Sequence, residues 1–512
     1  MALASSALYV IAFPGQIGVF WPLAFVALVP VLFALRAQSP RRALVIALAF
    51  GLPTHVVGFR WLLPLLVTFS GFPAVICGGL LVGFALLQTS RFLLWFGVSA
   101  WISRRSGRFL LPFVLAFGVT EALVPVAFEW RFAAALDQVP LLQQSADVIG
   151  STGVGAVLVL VNVAVFEALR ARRRFRERAR GAVETGAIAL LLSVAYGIWA
   201  RARTDAVVAG AERLTVGLLQ GNVPLAPHPS EEEGIVQRQL VAHRALEDAG
   251  VDLVVWSEGA LPSAILLEGL DNLLVDRLAG GPRVPTFVGA IVVDADAEGT
   301  IRPRNSAILA DRGRVIGRYD KQVLLPFSEY LPLGERFPAL YAASPASGRF
   351  TPGTSRAPLV ARGHRFGVLI CYEDVLPGLV RETVAEGAEI LVNLTNDAWF
   401  GDSAEPYAHL ALAKLRAIEN RRFLIRATNT GVSAIVDPAG RITATGPSFV
   451  PTVVRGEARY LTGRTLFNRV GEAPWLAAAA LLAWLAILPR GRQVTPRQGD
   501  QPDAPAGTDT EV

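Results

Sequence analysis

Three residues that could do chemistry, Glu258, Lys321 and Cys371, each stand at the end of a short apolar run. A cysteine attacks an acyl group once a base takes its proton or a neighbouring cation favours the thiolate. Glu258 is a candidate base. Lys321 is a candidate cation for the thiolate and, with the backbone N–H after the cysteine, for a tetrahedral oxyanion. The combination predicts covalent acyl transfer, although a lone cysteine at a strand end is more often a core residue.

The side chains proposed as nucleophile and cation belong to rare residue types in this chain. Cys77 and Cys371 are its two cysteines, and Lys321 and Lys414 are the only lysines among 48 lysines and arginines. The pKa of an ammonium group shifts readily on burial, whereas a guanidinium group stays charged. A lysine in such an arginine-rich chain therefore indicates chemistry that arginine cannot perform. The plainer alternative, a lysine that escaped replacement, fits Lys414 on its predicted helix.

A cysteine–histidine pair is the competing arrangement. Of the five histidines, His409 on a predicted helix is the candidate partner for Cys371. The spacing of histidine, cysteine and aspartate predicts no metal site. The chain also lacks a glycine-rich phosphate loop, so no cofactor is expected.

Between residues 212 and 465, short apolar runs alternate with helical patterns. Such alternation predicts sheets covered by helices, an α/β layer fold. A long loop is expected at 343–361. The predicted strands are 214–220, 252–256, 286–293, 306–310, 314–319, 365–370, 389–394, 423–427 and 432–436. The predicted helices are 231–249, 270–278, 375–386 and 406–421.

Long apolar runs outside this region predict a multi-span α-helical membrane bundle. The hydrophobic fraction of 53% and mean hydropathy of +0.45 exceed those of ordinary soluble proteins. About seven helices are expected within 1–205 and a final one at 474–489, followed by a disordered cytoplasmic tail at 490–512. The predicted spans are 3–18, 20–36, 42–68, 71–98, 109–127, 149–169, 183–200 and 474–489.

The placement of the arginines predicts the orientation of the chain. They cluster after every second span, which is the positive-inside pattern and puts 212–465 outside the cytoplasm. The net charge of +6 therefore indicates a lipid bilayer as partner and no nucleic acid. Within the spans, Glu121 and Arg91 are candidates for a functional site or for a structural ion pair with each other.

The motifs around the three strand ends resemble those of the nitrilase, or carbon–nitrogen hydrolase, superfamily. That resemblance implies an α-β-β-α sandwich with a Glu-Lys-Cys triad over residues 212–465. One departure is Ser257, where related sequences usually have proline. The matching motifs are Leu219-Gln220-Gly221-Asn222, Trp256-Ser257-Glu258, Asp320-Lys321, Cys371-Tyr372-Glu373, Asn396-Asp397-Ala398-Trp399-Phe400-Gly401 and Arg426-Ala427-Thr428-Asn429-Thr430-Gly431.

The whole chain resembles the bacterial apolipoprotein N-acyltransferase family, particularly at residues 321–332 and 144–147. The resemblance implies a ping-pong enzyme that moves a fatty acyl chain from a phospholipid donor, through a cysteine thioester, to a diacylated apolipoprotein acceptor. Glu258 would be the general base, Lys321 the oxyanion partner and Cys371 the nucleophile. The positions matching supporting or substrate-binding residues are Glu329, Tyr372 and Glu373.

The same resemblance implies a monomer in the bacterial inner membrane, with its catalytic domain on the periplasmic side. Two alternatives stay open at this point. One is a membrane-tethered amidase or nitrilase that hydrolyses small amides. The other is a transporter or scaffold whose outer domain has lost activity, although such a domain has no physical need for all of Glu258, Lys321 and Cys371.

Overall fold

A computed structural model of the chain has two parts, a helical bundle up to Ala209 and an α/β domain from Arg213 onward. The predicted helix at 270–278 and the predicted tail lie outside the described residues. The residues described are 1–16, 20–70, 72–170, 176–225, 227–269, 281–295, 301–344 and 347–487.

The bundle is apolar enough to span a membrane. Among the described residues, three helices have the necessary length and hydropathy: Ala74–Ser106, Ala146–Arg170 and Ala179–Ala209. A fourth candidate is the pair Pro40–Gly58 and Leu62–Thr68, which is bent by 58°. Shorter apolar helices are Ala2–Ile11, Val29–Leu35, Leu110–Leu123 and, after the α/β domain, Ala473–Ile487.

The structure differs from the predicted spans at the N-terminus. The helix expected at 3–18 ends at Ile11, ahead of Pro14 and a left-handed Gly15. Proline disfavours helical backbone at the residue before it, so the apolar run cannot continue as helix. The run expected at 20–36 divides into a 3-10 turn, Trp21–Phe25, and the helix Val29–Leu35, each with proline in its first turn.

The α/β domain contains two sheets that pack face to face. Apolar side chains of both sheets, including Val216, Val255, Val368 and Ile390, form the core between them. The first sheet has the order β13-β1-β2-β4-β5-β6 with β3 beside β4, and the second has the order β12-β11-β10-β9-β8-β7. The strands are β1 Arg213–Gln220, β2 Leu253–Trp256, β3 Ile265–Leu266, β4 Thr286–Ala295, β5 Ile301–Asp311, β6 Arg314–Asp320, β7 Leu359–Ala361, β8 His364–Ile370, β9 Ile390–Thr395, β10 Leu424–Thr428, β11 Ala434–Val436, β12 Ile442–Thr445 and β13 Thr452–Arg459.

Helices cover the outer face of each sheet. Pro229–Asp248 packs its apolar side chains on the first sheet, where Val236 and Leu240 meet Val254. Pro377–Ala385 and Glu405–Asn420 cover the second sheet in the same way. The predicted α-β-β-α sandwich is therefore confirmed. The remaining described α-helices of this part are the short Ala339–Ala343 and Leu466–Val470, and its 3-10 helices are Leu267–Gly269, Cys371–Val375 and Asp397–Phe400.

Strand β13 was not predicted from the sequence. It pairs antiparallel with β1 over the full length of both strands, from Arg213 opposite Arg459 to Gln220 opposite Thr452. It lies at the edge of its sheet and alternates exposed and buried residues, with charged side chains on the exposed face. Because edge strands of this kind lack a continuous apolar run, hydrophobicity alone does not reveal them.

The α/β domain rests on the bundle through the loops that follow its strands. Val375, just after β8, belongs to the same apolar cluster as Phe132 and Val154 of the bundle. Phe400, after β9, packs against Trp61 with ring centroids 4.8 Å apart. The carboxyl ends of these strands therefore face the membrane part of the chain.

Candidate active site

The structure brings together the three residues singled out by sequence. Glu258 follows β2, Lys321 follows β6, and Cys371 follows β8 of the other sheet. The ammonium nitrogen of Lys321 lies 3.7 Å from Oε1 of Glu258. Cys371 lies close enough to both for its thiol to interact electrostatically with Glu258 and Lys321. The three residues are only 8%, 1% and 4% exposed, so the site is largely shielded from water.

Cys371 adopts left-handed backbone with φ +55°, where β8 turns into the 3-10 turn Cys371–Val375. This backbone conformation costs a non-glycine residue about 1–3 kcal/mol and persists only where the surrounding structure holds it. Two hydrogen bonds do so here. The side-chain amide of Asn393 donates to the carbonyl of Cys371 at 2.9 Å, and the N–H of Ile370 donates to Glu373 at 2.8 Å. The thiol is thus held at a fixed point of the turn.

Lys321 is fixed by an acidic partner and an amide. Its Nζ donates to Oε1 of Glu329 at 2.9 Å. Asn305 bridges the two carboxylates, because its Nδ2 donates to Glu258 at 2.7 Å and to Glu329 at 2.8 Å. The other oxygen of Glu329 accepts the N–H of Leu325 at 2.8 Å. Asn305 was missed by the sequence analysis because it lies inside β5 and follows no strand end.

Glu373 connects the lysine loop to the cysteine turn. Its Oε1 accepts the N–H groups of Gln322 and Val323 at 2.7 and 3.0 Å. Its Oε2 accepts the hydroxyl of Tyr319 at 2.9 Å as well as the N–H of Ile370. With both oxygens occupied and no exposed surface, Glu373 holds the loops on either side of the site.

Burial and charge set the protonation states of the site. Burial raises the pKa of the Cys371 thiol and the Glu258 carboxylate raises it further, against the opposing effect of Lys321, so the resting form is the neutral thiol. Burial lowers the pKa of Lys321, but the thiolate form of Cys371 and the carboxylates of Glu329 and Glu258 outweigh it. The pKa of Lys321 therefore lies above its ordinary value, and the ammonium stays charged.

Glu258 has the properties of a proton acceptor. Burial raises its pKa, and the charge of Lys321 limits the rise. Its Oε2 is buried and has no hydrogen-bond partner among the described residues. The free oxygen can take a proton from a neighbouring acid without first losing another bond.

The cysteine–histidine alternative is not supported by the position of His409. Its Nε2 lies 2.8 Å from Asp374 and its Nδ1 lies 3.1 Å from Asp397, so both ring nitrogens face carboxylates. Arg426, fully buried, pairs with the same two aspartates. Burial and Arg426 lower the pKa of His409, but the two aspartates raise it to about 9. His409, Arg426, Asp374 and Asp397 thus form a buried ionic cluster, in which the imidazole ring has no free nitrogen for Cys371.

The other residues considered from the sequence are Tyr372, beside the site, and the charged residues Arg91 and Glu121 of the bundle. The half-buried ring of Tyr372 lies 6.1 Å from that of Phe128, in the loop after the helix Leu110–Leu123. Arg91 does not form the ion pair with Glu121 that was one of the alternatives for these two residues. Arg91 instead pairs with Glu129 at 3.7 Å, and Glu121 accepts the N–H of Phe132 at 2.9 Å.

Family comparisons agree with this architecture. Residues 215–458 match the family model for carbon–nitrogen hydrolases, and residues 5–164 match the model for the apolipoprotein N-acyltransferase N-terminal domain. The fold and the matches together define a membrane protein with a carbon–nitrogen hydrolase domain.

Relatives that match over most of the chain identify the family within that class. The chain is 32% identical over 506 residues to the apolipoprotein N-acyltransferase of Geobacter metallireducens, with 95% of each chain covered. It is 34% identical over 486 residues to that of Azotobacter vinelandii, covering 92% of this chain and 91% of the relative. The chain belongs to the apolipoprotein N-acyltransferase family. Among solved structures it is similar to Nit3 of Saccharomyces cerevisiae, a member of branch 10 of the nitrilase superfamily, at 19% identity and a TM-score of 0.36, over 48% of this chain and 90% of that one.

Proposed function

We propose that this protein transfers a fatty acyl chain from a membrane phospholipid to the N-terminal α-amine of a diacylglyceryl-cysteine apolipoprotein, through a thioester on Cys371. The observation that carries the proposal is the position of the buried Glu258–Lys321 pair and the Cys371 turn against an apolar helix bundle. A soluble amidase has no use for such a bundle, whereas two lipid substrates must be met at a bilayer surface.

In the first half-reaction, Sγ of Cys371 attacks the ester carbonyl of the phospholipid while its proton passes to Oε2 of Glu258. A neutral thiol needs this base, since its raised pKa leaves little thiolate at neutral pH. The Lys321 ammonium stabilises the oxyanion of the tetrahedral intermediate. The carbon–oxygen bond then breaks, Glu258 returns the proton to the leaving oxygen, and a lysophospholipid departs from the thioester.

In the second half-reaction, the neutral α-amine of the acceptor attacks the thioester carbonyl. Glu258 removes a proton from the attacking nitrogen, and Lys321 again stabilises the oxyanion. The carbon–sulfur bond breaks, the new amide leaves with the lipoprotein, and the sulfur recovers its proton from Glu258. Glu329 and Glu373 act on the reaction through Lys321 and the two loops, and Tyr372 borders the bundle side of the site.

The arginine pattern of the bundle supports a bacterial inner-membrane location with the α/β domain on the periplasmic side. In that orientation the strand-end loops and the site face the outer leaflet. The donor would then reach Cys371 from the bilayer, while the polypeptide of the acceptor stays in the periplasm.

The test is transfer of a radiolabelled acyl group from phospholipid to the protein in bilayer vesicles. We expect Cys371→Ser to lose the hydroxylamine-sensitive label and Cys77→Ser, the matched control at the other cysteine, to retain it. Adding a diacylated lipopeptide should move the label from protein to peptide. Undiminished labelling of Cys371→Ser would refute the proposal, and fatty-acid release that is independent of the lipopeptide would indicate hydrolysis instead.

A further inference from the structure

The helix Glu405–Asn420, called the docking helix here, joins the α/β domain to the bundle through three cations. Each cation comes from the catalytic part, and each meets a group of the membrane part. Lys414 was expected to be an ordinary lysine, yet it is 5% exposed and its Nζ lies 2.6 Å from Asp137. Arg416 is 1% exposed and donates to the hydroxyl of Ser151 at 3.0 Å.

The third cation, Arg421, caps the C-terminus of the docking helix in left-handed backbone with φ +49°. All five N–H donors of its guanidinium are used. Two reach Asp147, at 3.0 Å from Nε and 2.7 Å from Nη2. Two reach the side-chain and main-chain oxygens of Gln144, at 2.7 and 3.0 Å, and one reaches the carbonyl of Pro438 at 3.0 Å. A planar fork of this kind is specific to arginine.

Asp147 is held from the bundle side as well. Its other oxygen accepts the hydroxyl of Tyr196, on the helix Arg176–Ala209, at 2.8 Å. Asp147 lies in the first turn of the helix Ala146–Arg170, a candidate membrane span, just before the kink at the non-helical Gly150. The carboxylate of Asp147 therefore accepts hydrogen bonds from Arg421 on one side and from a second membrane helix, through Tyr196, on the other.

The docking helix also contacts the turn that carries the nucleophile. Arg416 donates from Nη1 to the carbonyl of Val375 at 3.3 Å, within the 3-10 turn that begins at Cys371. Its Nη2 reaches the bundle through Ser151. One short path of hydrogen bonds thus connects the membrane helix Ala146–Arg170 to the backbone of the cysteine turn.

We propose that Arg421 is a positioning residue that sets the height of the Cys371 thiol over the bilayer, through its clasp on Asp147 and Gln144. The inference rests on the proposed function, because only an acyl donor embedded in a membrane requires a fixed height. Arg421 does not act on the reacting atoms. It keeps the α/β domain in one orientation on the bundle, so that the ester of a phospholipid and the thiol arrive at the same level.

Two reactions of the same thiol test this role in the full-length protein in vesicles. The first is thioester formation from radiolabelled phospholipid, and the second is alkylation of Cys371 by water-soluble iodoacetamide, followed by mass spectrometry. For Arg421→Gln we expect the phospholipid reaction to slow about 10- to 100-fold, as for misplacement of a reacting group by about 1 Å. Alkylation should keep the wild-type rate, because the local turn is intact.

Asp147→Asn provides the same test from the bundle side if Arg421→Gln does not fold, and the same selective loss is expected. Arg455→Gln is the matched control, since Arg455 is exposed and donates to the carbonyl of Ala249, away from the bundle. Equal losses in both reactions would mean that Arg421 only stabilises the fold, and unchanged phospholipid reaction would mean that the clasp is dispensable. Either result overturns the inference. A wild-type protein that forms no thioester at all would instead refute the proposed function, and this inference with it.

Discussion

Replacing Glu329 by glutamine tests the electrostatic design of the site. Both carboxylate oxygens of Glu329 accept hydrogen bonds from groups that can only donate. Oε1 accepts from Nζ of Lys321 and Nδ2 of Asn305, and Oε2 accepts from the N–H of Leu325. An amide has one acceptor oxygen and an NH₂ donor, so in either orientation an N–H faces another donor. One buried donor left unsatisfied costs about 1–3 kcal/mol. If that cost falls on the placement of Lys321 in the transition state, acylation slows about 5- to 150-fold.

The same change shifts the pH dependence in a defined direction. The carboxylate of Glu329 is one of the charges that raise the pKa of Glu258, behind burial, and Lys321 opposes both. Without that negative charge, ionised Glu258 becomes more stable and its pKa falls. Since the reaction needs Glu258 deprotonated, the acid limb of the rate profile moves to lower pH.

Single-turnover thioester formation, measured from about pH 4 to 9, separates these two effects. Glu335→Gln is the matched control, because Glu335 is an exposed carboxylate on the same loop. We expect it to change neither the plateau rate nor the acid limb. A Glu329→Gln profile whose acid limb stays in place or moves to higher pH would refute the electrostatic argument, even if the rate falls.

Two further substitutions address other parts of the site. Lys321→Arg should slow acylation about 100-fold, because Lys321 is 1% exposed and a larger guanidinium in its place misplaces the oxyanion donor. Arg314→Lys exchanges the same two side-chain types at the exposed start of β6 and should react like wild type in the same labelling assay. Equal rates for both variants would contradict the assigned role of Lys321. Glu373→Gln should leave at least one buried N–H unsatisfied and lower the free energy of unfolding by about 1–3 kcal/mol. Denaturant titration of Glu373→Gln against the exposed control Glu386→Gln measures this, and equal stabilities would mean that the loops do not depend on the carboxylate.

The strand ends before Glu258 and Cys371 were accessible from the sequence because β2 and β8, which have parallel neighbours and are largely buried, appear as continuous apolar runs. The runs before Glu258, Lys321 and Cys371 match β2, β6 and β8 within a few residues. Their meeting point depends on how the two sheets pack, because β8 belongs to the second sheet and β6 pairs antiparallel with β5. What the residues do in catalysis stays a prediction.

The groups that support the site were not accessible in the same way. Asn305 reaches Glu258 and Glu329 only because β5 pairs with β6 in a particular register, with the N–H of Lys321 bonded to the carbonyl of Asn305 at 2.8 Å. Arg426 and His409 belong to different elements and share their aspartates only in the folded domain. The ion pairs of Arg421 and Lys414 cross between two parts of the chain. Pattern and spacing carry no information about such contacts.

The pairing of β1 with β13 affects how the α/β domain folds during its synthesis. The first strand of the domain emerges from the bundle just after Ala209, yet its antiparallel neighbour begins only at Thr452. Loop closure over such a separation is slow, and domains of this size fold through intermediates. During synthesis the backbone groups on the outer edge of β1 therefore have no strand to pair with until nearly the entire domain has left the ribosome. We expect chains truncated before β13 to be aggregation-prone, because an open sheet edge pairs with other chains.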